Sequence, residues 1–147
     1  MKLSTKARYG LRLMVVLAAH YGEGPLGVDS MSREEDISPN YIRVLLGGLK
    51  SAGLVRSLRG VNGGYQLAQN PSEVTAFDVI AALEEEILPV SCVPRPEVCS
   101  RRESCSTWEV WCEIASSVDD ILKGLTLQDL VERQKRSRNA NFPAEKA

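Results

Sequence analysis

All four cysteines of the 147-residue chain fall in one window, spaced Cys92-x6-Cys99-x5-Cys105 and then x6 to Cys112. The longest apolar run, Leu13 to Ala19, is far too short to span a bilayer, and no small-residue cleavage site follows the basic residues before it. The expectation is therefore a cytoplasmic protein with no membrane association, in a reducing compartment where clustered cysteines serve metal binding or redox chemistry rather than a structural disulfide. Thiolates are the usual ligands of iron–sulfur clusters, which need soft donors converging from a pliable loop. Structural zinc sites draw on close C-x2-C pairs, which are absent, so the spacing speaks mildly against zinc. Cluster, zinc and thiol switch all stay open on spacing alone. Cys112 falls inside a helical pattern and reads as a buried, unligated thiol. His20, the one histidine, ends the first helix and reads as a surface residue.

A second group of residues suits nucleic acid. Asn40, Tyr41 and Arg43 lie just after Ser38-Pro39, and Asn and Arg are the side chains that bond adenine and guanine edges in bidentate fashion. Ser38, Lys50 and the free amides of a helix start suit phosphate oxygens. Arg59, between Leu58 and Gly60, suits the narrow minor groove of an A·T tract.

These groups need elements to position them. Ser4 to Tyr21 reads as a first helix, with Leu11, Met14, Val15 and Ala18 at helical spacing. Val28 to Glu35 reads as a second. Ser38-Pro39, a capping residue followed by proline at the first helical position, opens a third that runs to about Ala52, with Tyr41, Val44, Leu45 and Leu49 available for its inner face. Two helices joined by a short turn make a helix-turn-helix. Leu54 to Leu58 and Gly63 to Leu67 read as a hairpin around the glycine-rich turn Arg59 to Gly64, which is the wing.

Thr75 caps a helix from Ala76 to about Glu86. Ile87 to Ser106 is irregular and holds three cysteines and three prolines. A long helix from about Thr107 to Lys123 follows, with Trp111, Ala115, Val118 and Leu122 spaced as a seam that Ile114 and Ile121 widen; this predicts a homodimer interface. Thr126 to Asp129 restarts a short helix by a capping-box pattern. The expected fold class is mainly α with a small β-hairpin wing. The expected organisation is a winged helix-turn-helix over residues 1–72, a cluster-binding loop and dimerisation helix over 73–133, and a disordered tail over 134–147.

Charge follows the same division. Residues 1–72 carry nine Lys or Arg and five acids, a net +4, and the remainder carries a net −5. The five acids all lie between Glu23 and Asp36, so Met1 to Gly22 and Ile37 to Ser72 are acid-free, the pattern of a polyanion footprint. With one histidine, no phosphate loop and no dinucleotide fingerprint, the sequence offers no enzyme chemistry.

The opening Met1 to Gly10, the segment Ile37-Ser38-Pro39-Asn40-Tyr41, the wing Val55 to Tyr65 and the three cysteines followed by Trp111 resemble one family over about residues 1–130. It is the cysteine-bearing winged helix-turn-helix transcription regulators that include IscR, NsrR and RirA. The resemblance implies a homodimer that crosses its long helices and reads a pseudo-palindromic operator in double-stranded DNA. It also implies an iron–sulfur cluster on Cys92, Cys99 and Cys105 whose state sets operator affinity. A metal-free repressor controlled by cysteine oxidation or a partner protein is the alternative. The chain departs from the family where IscR-like members have a His three residues after the third cysteine, here Trp108, and where NsrR-like members have an Asp in the first helix, here Arg8. Neither side chain ligates iron, so the fourth position falls to Cys112, Glu109, His20 or an exogenous small molecule.

Overall fold

The computed structural model describes residues 3–88 and 90–141. Helix α1 (Thr5–Ala19) starts where the Ser4 hydroxyl accepts from the Ala7 amide. Helix α2 (Val28–Glu35) ends on Asp36, the one non-glycine residue with positive φ among those described, at 54°. That left-handed residue turns the chain into α3 (Pro39–Ser51), which the Ser38 hydroxyl caps by accepting from the Tyr41 amide. Strands β1 (Val55–Leu58) and β2 (Gly64–Leu67) pair antiparallel, Val55 opposite Leu67 and Leu58 opposite Gly64. The hairpin is fastened to the helices by a bridge between Leu26 and Tyr65. Gly64, at φ 153°, lies against the Leu26 carbonyl, where a Cβ would not fit. The two expected strands are therefore present, each bounded within a residue of its expected start.

One core serves these elements. Leu13, Met14 and Leu17 of α1, Met31 of α2, Ile42, Leu45, Leu46 and Leu49 of α3 and Leu67 of β2 are fully buried in it. The inner face of α3 thus differs from the expected one. Ile42 and Leu46 point inward, Tyr41 is half-buried, and Val44 is 60% exposed. Ile42, Val44, Leu45 and Leu46 are all apolar, so hydrophobicity offered two faces, and the places of α1 and the next helix decided between them.

Helix α4 (Ala76–Leu83) carries a complete capping box between Thr75 and Asp78 and stops three residues before the expected end. Glu84 leaves helical geometry to accept from the Ser4 amide at 3.1 Å, which draws the chain toward the start of α1. The irregular segment contains two single 3-10 turns, Pro96–Val98 and Arg102–Ser104. Helix α5 (Trp108–Lys123) packs on α4, with Ala115 buried and the Lys123 ammonium 4.5 Å from the centre of the Phe77 ring.

Helix α6 (Leu127–Asn141) opens on a second Thr/Asp pair: the Thr126 amide and hydroxyl both donate to the Asp129 carboxylate. Thr75 and Thr126 pair as an antiparallel bridge, in which Ala76 N–H donates to Leu125 and Leu127 N–H to Val74, both at 2.8 Å. Two helix starts are thereby tied side by side. Leu127 and Val131 then enter the core built by α1 to α3. Residues 134–141, expected as the beginning of a disordered tail, continue this helix, which Leu127 and Val131 anchor in the core while Lys135 to Ala140 stand exposed. Residues 142–147 of that expected tail, like Met1 and Lys2 of the opening motif, lie outside the described residues. No described helix is long and apolar enough to cross a membrane.

Candidate DNA-reading head and cysteine segment

The candidate reading head is built on the start of α3. Ser38 and Pro39 fix the first turn, which brings Asn40 and Arg43 onto one exposed face, where the Arg43 Nη1 donates to the Asn40 Oδ1 at 3.2 Å. Tyr41 turns away from that face and packs edge-on against Tyr9, ring centres 6.1 Å apart. Lys50, at the other end of α3, reaches the wing: its ammonium donates to the Ser57 hydroxyl at 2.8 Å. Arg59 sits exposed in the wing turn and forms no ion pair among the described residues. At the tip Val61 is fully exposed.

Ser38, Asn40, Arg43, Lys50 and Arg59 are thus all displayed, on segments without a carboxylate between Ile37 and Ser72. Val44, missed as a surface residue, follows Arg43 on α3 and offers an apolar contact of the kind a thymine methyl accepts.

The head has a fixed base. Arg12 on α1 donates through Nε to Glu35 Oε2 at 2.6 Å and through Nη2 to the Glu35 carbonyl at 2.7 Å, while Glu35 is only 9% exposed. This pair holds α2 and its left-handed exit in position relative to α1. His20, at the end of α1, faces two carboxylates, with Nδ1 2.7 Å from Glu23 and Nε2 3.6 Å from Glu34. The Glu23 hydrogen bond raises its pKa above the ordinary value, partial burial opposes that, and the charges of Glu23 and Glu34 add to it.

Cys92, Cys99 and Cys105 lie on successive turns of the irregular segment, Cys112 lies on α5, and all four are half-buried free thiols. The Thr107 hydroxyl, 3.4 Å from the Cys105 Sγ, holds that thiol below its usual range by hydrogen bonding. Among the described residues no three His, Cys, Asp or Glu side chains converge as a metal-binding group. Trp108, first residue of α5, carries an indole N–H that is shielded from solvent and has no acceptor. The Arg102 guanidinium lies 5.0 Å from the centre of its ring.

The dimer seam expected on α5 is partly covered by the chain itself. Ala115 is buried, and Trp111, Val118 and Leu122 are half-buried. Val110, Ile114 and Ile121 remain exposed along a neighbouring stripe.

Comparison with known proteins accords with this arrangement. CymR of Bacillus subtilis (strain 168), an HTH-type transcriptional regulator, is 41% identical over 130 residues, covering 88% of this chain and 89% of its own. The solved structure of CymR, described as the global cysteine regulator of B. subtilis, superposes with a TM-score of 0.76 at 39% identity, over 90% of this chain and 98% of that one. The structure of T. potens IscR gives a TM-score of 0.73 at 32% identity, over 93% and 90% of the two chains. Residues 3–133 match the Rrf2 family, described as iron-dependent transcriptional regulators. A helix-turn-helix with a capped third helix, a glycine-turned wing and matches over nine-tenths of the chain place this protein in the Rrf2 family of winged helix-turn-helix transcription regulators.

Proposed function

We propose that the protein acts in the cytoplasm as a homodimer that reads a pseudo-palindromic operator, with an iron–sulfur cluster held by Cys92, Cys99 and Cys105 setting its affinity. The observation that carries the DNA half is the exposed set Asn40, Arg43, Lys50 and Arg59 on acid-free α3 and wing. Asn40 and Arg43 reach base edges in the major groove, Ser38 and Lys50 hold phosphates, and Arg59 enters the adjacent minor groove. Exposed Val110, Ile114 and Ile121, beside Trp111, Val118 and Leu122, supply an apolar stripe for the α5 helix of a second copy. Two-fold symmetry then presents two reading heads to two half-sites.

The donor chemistry of the cysteine segment fits a cluster. Three free thiols sit on a stretch with no regular structure beyond single turns, and the nearby indole N–H lacks an acceptor. A ligand set of this kind closes when the metal arrives, since the preformed site rarely exists without it. A bound cluster would supply a charge and a fold for the segment that change with iron, oxidant or nitric oxide. Ile87 to Ser106 joins α4, which packs on α3, to the dimer helix, so reshaping it alters how the heads are held. Cys112, Glu109 and an exogenous molecule are the candidates for the fourth position; His20 is engaged with Glu23 and Glu34.

A second reading keeps the DNA-binding dimer and makes it metal-free, controlled by cysteine oxidation or a partner. Two observations favour it: no converged ligand group among the described residues, and the similarity to a relative described as a cysteine regulator. Anaerobic purification with an absorption spectrum and iron and sulfide assays separates the two. The first reading expects a coloured protein whose colour is largely lost in each of Cys92→Ala, Cys99→Ala and Cys105→Ala and better retained in Cys112→Ala. Colourless protein that still binds DNA, or stoichiometric zinc, overturns the cluster.

A further inference from the structure

Between α1 and α6 lies an open groove of about 480 Å³, lined by Leu3, Leu11 and Val15 on one side and Leu130 on the other, with Arg8 and Arg12 beside them. Arg12 is committed to Glu35. Arg8 is exposed, forms no ion pair among the described residues, and only overlies the ring of its neighbour Tyr9, 5.2 Å from the ring centre. An apolar groove beside an unpaired guanidinium fits an apolar ridge that carries a carboxylate.

The chain supplies a ridge of that form on α5. Val110 and Ile114 are exposed one helical turn apart, and Glu113, between them, is exposed and forms no ion pair among the described residues. Helix α1 repeats this pattern with the opposite charge: Arg8 stands between Ala7 and Leu11, again one turn apart. Each apolar pair spans about 6 Å along its axis, so the two spacings match. Arg8 follows Ala7 by one residue and Glu113 precedes Ile114 by one. Two helices laid in the same direction therefore bring both charges to one side of the apolar contact. No residue of α5 lines the groove, because α5 packs on α4 within its own chain. The ridge that fills it is a second copy's.

We propose that the groove between α1 and α6 receives the Val110 and Ile114 ridge of a second copy, with Arg8 of each protomer paired to Glu113 of the other. This rests on the dimer reading above. Where the two α5 helices cross they touch each other, and before the crossing their first turns rest on the partner's α1 and α6. Two-fold symmetry makes the contact twice. Since α1 packs on α3, each candidate reading head is then held by its partner's α5 as well as by its own chain.

The test uses the full chain as two charge-reversed variants, Arg8→Glu and Glu113→Arg, each measured alone and then mixed in equal amounts. Sedimentation gives the dimer dissociation constant, and native mass spectrometry of mass-tagged chains gives the composition. Alone, each variant opposes like charges at both contacts, so its dimer should weaken roughly tenfold per contact, about a hundredfold in all. The mixture should form one-to-one heterodimers at the wild-type concentration, because every contact in that pair again joins opposite charges. The chain carrying both reversals should also dimerise as the wild type does. Arg8→Gln and Glu113→Gln, which only remove charge, give a double-mutant cycle if a reversal prevents folding by circular dichroism; additive losses there overturn the pairing. Single reversals that dimerise normally, or a mixture no tighter than its components, overturn the groove assignment while the wild type remains a dimer. A wild type that is monomeric at micromolar concentration overturns the dimer reading and this one with it.

Discussion

Leu83 occupies the space that Gly10 leaves by having no side chain: a Cβ at Gly10 would overlap the Leu83 methyl, and one at Gly48 would come within 3.0 Å of its other methyl. The last residue of α4 is therefore wedged between α1 and α3, one residue before the Glu84 that holds the Ser4 amide. This joint is where the cysteine segment begins.

Gly10→Ala should destabilise the protein by about 1 to 3 kcal/mol, because Leu83 must leave its rotamer or push α4 away. Gly47→Ala, exposed on α3 with nothing within 4 Å of the new Cβ, should instead gain roughly 0.5 to 1 kcal/mol from helix propensity. Urea unfolding of the two variants checks the pair; equal effects would mean the wedge is not tight.

Base reading and phosphate binding should separate in DNA titrations. Arg43→Ala is expected to cost about 1 to 3 kcal/mol on the preferred operator and to relax base choice at one position in each half-site. Lys50→Ala should weaken matched and mismatched DNA alike and reduce the salt-dependence slope by roughly one for each phosphate that the lysine neutralises. Arg59→Ala should weaken binding most where the flanks are A·T-rich. Effects that are the same for all three on every sequence would remove α3 as the reading element.

The α5 stripe predicts different outcomes for adjacent positions. Ile114→Asp with Ile121→Asp should give soluble, folded monomers in sedimentation, since both side chains are exposed in the single chain. Ala115→Asp should unfold the protein, because that position is buried against its own chain. A double variant that remains dimeric at micromolar concentration would move the interface elsewhere.

His20 gives the head a pH-dependent element. Its folded pKa is raised by Glu23 and Glu34, so the stability it contributes is complete below the ordinary histidine value of about 6.5 and disappears as pH rises through the folded value. His20→Gln should therefore lower the urea midpoint at about pH 5.5 and have little effect at about pH 8.5. Arg138 on α6, 4.0 Å from Glu34, shares that carboxylate and should soften the effect. A deficit that grows with pH would contradict the assignment.

Local rules made much of this legible. The bounds expected for α2, Val28 to Glu35, are the bounds observed, because a glycine precedes it and Asp36 breaks it. Ser38-Pro39 fixed the start of α3 and with it the display of Asn40 and Arg43. Val44 escaped because burial in a run of apolar residues depends on which helix lies alongside, a tertiary matter. Trp108 was legible as a non-ligand, but an orphaned N–H can be seen only once neighbours are placed. The extension of α6 past residue 133 was hidden because Lys135 to Ala140 are all exposed, and a polar composition reads the same for a solvated helical end as for an irregular tail.

The Thr75–Thr126 bridge gives the chain an order of assembly. Val74, Val79, Leu127 and Val131 belong to the same core as Leu13 and Leu46, so the head drawn by charge at residue 72 is not closed there by packing. During synthesis, α6 emerges only after the whole cysteine segment, and until then the core of the reading head is missing one wall. A nascent chain therefore presents its thiols before it presents a finished DNA-binding surface.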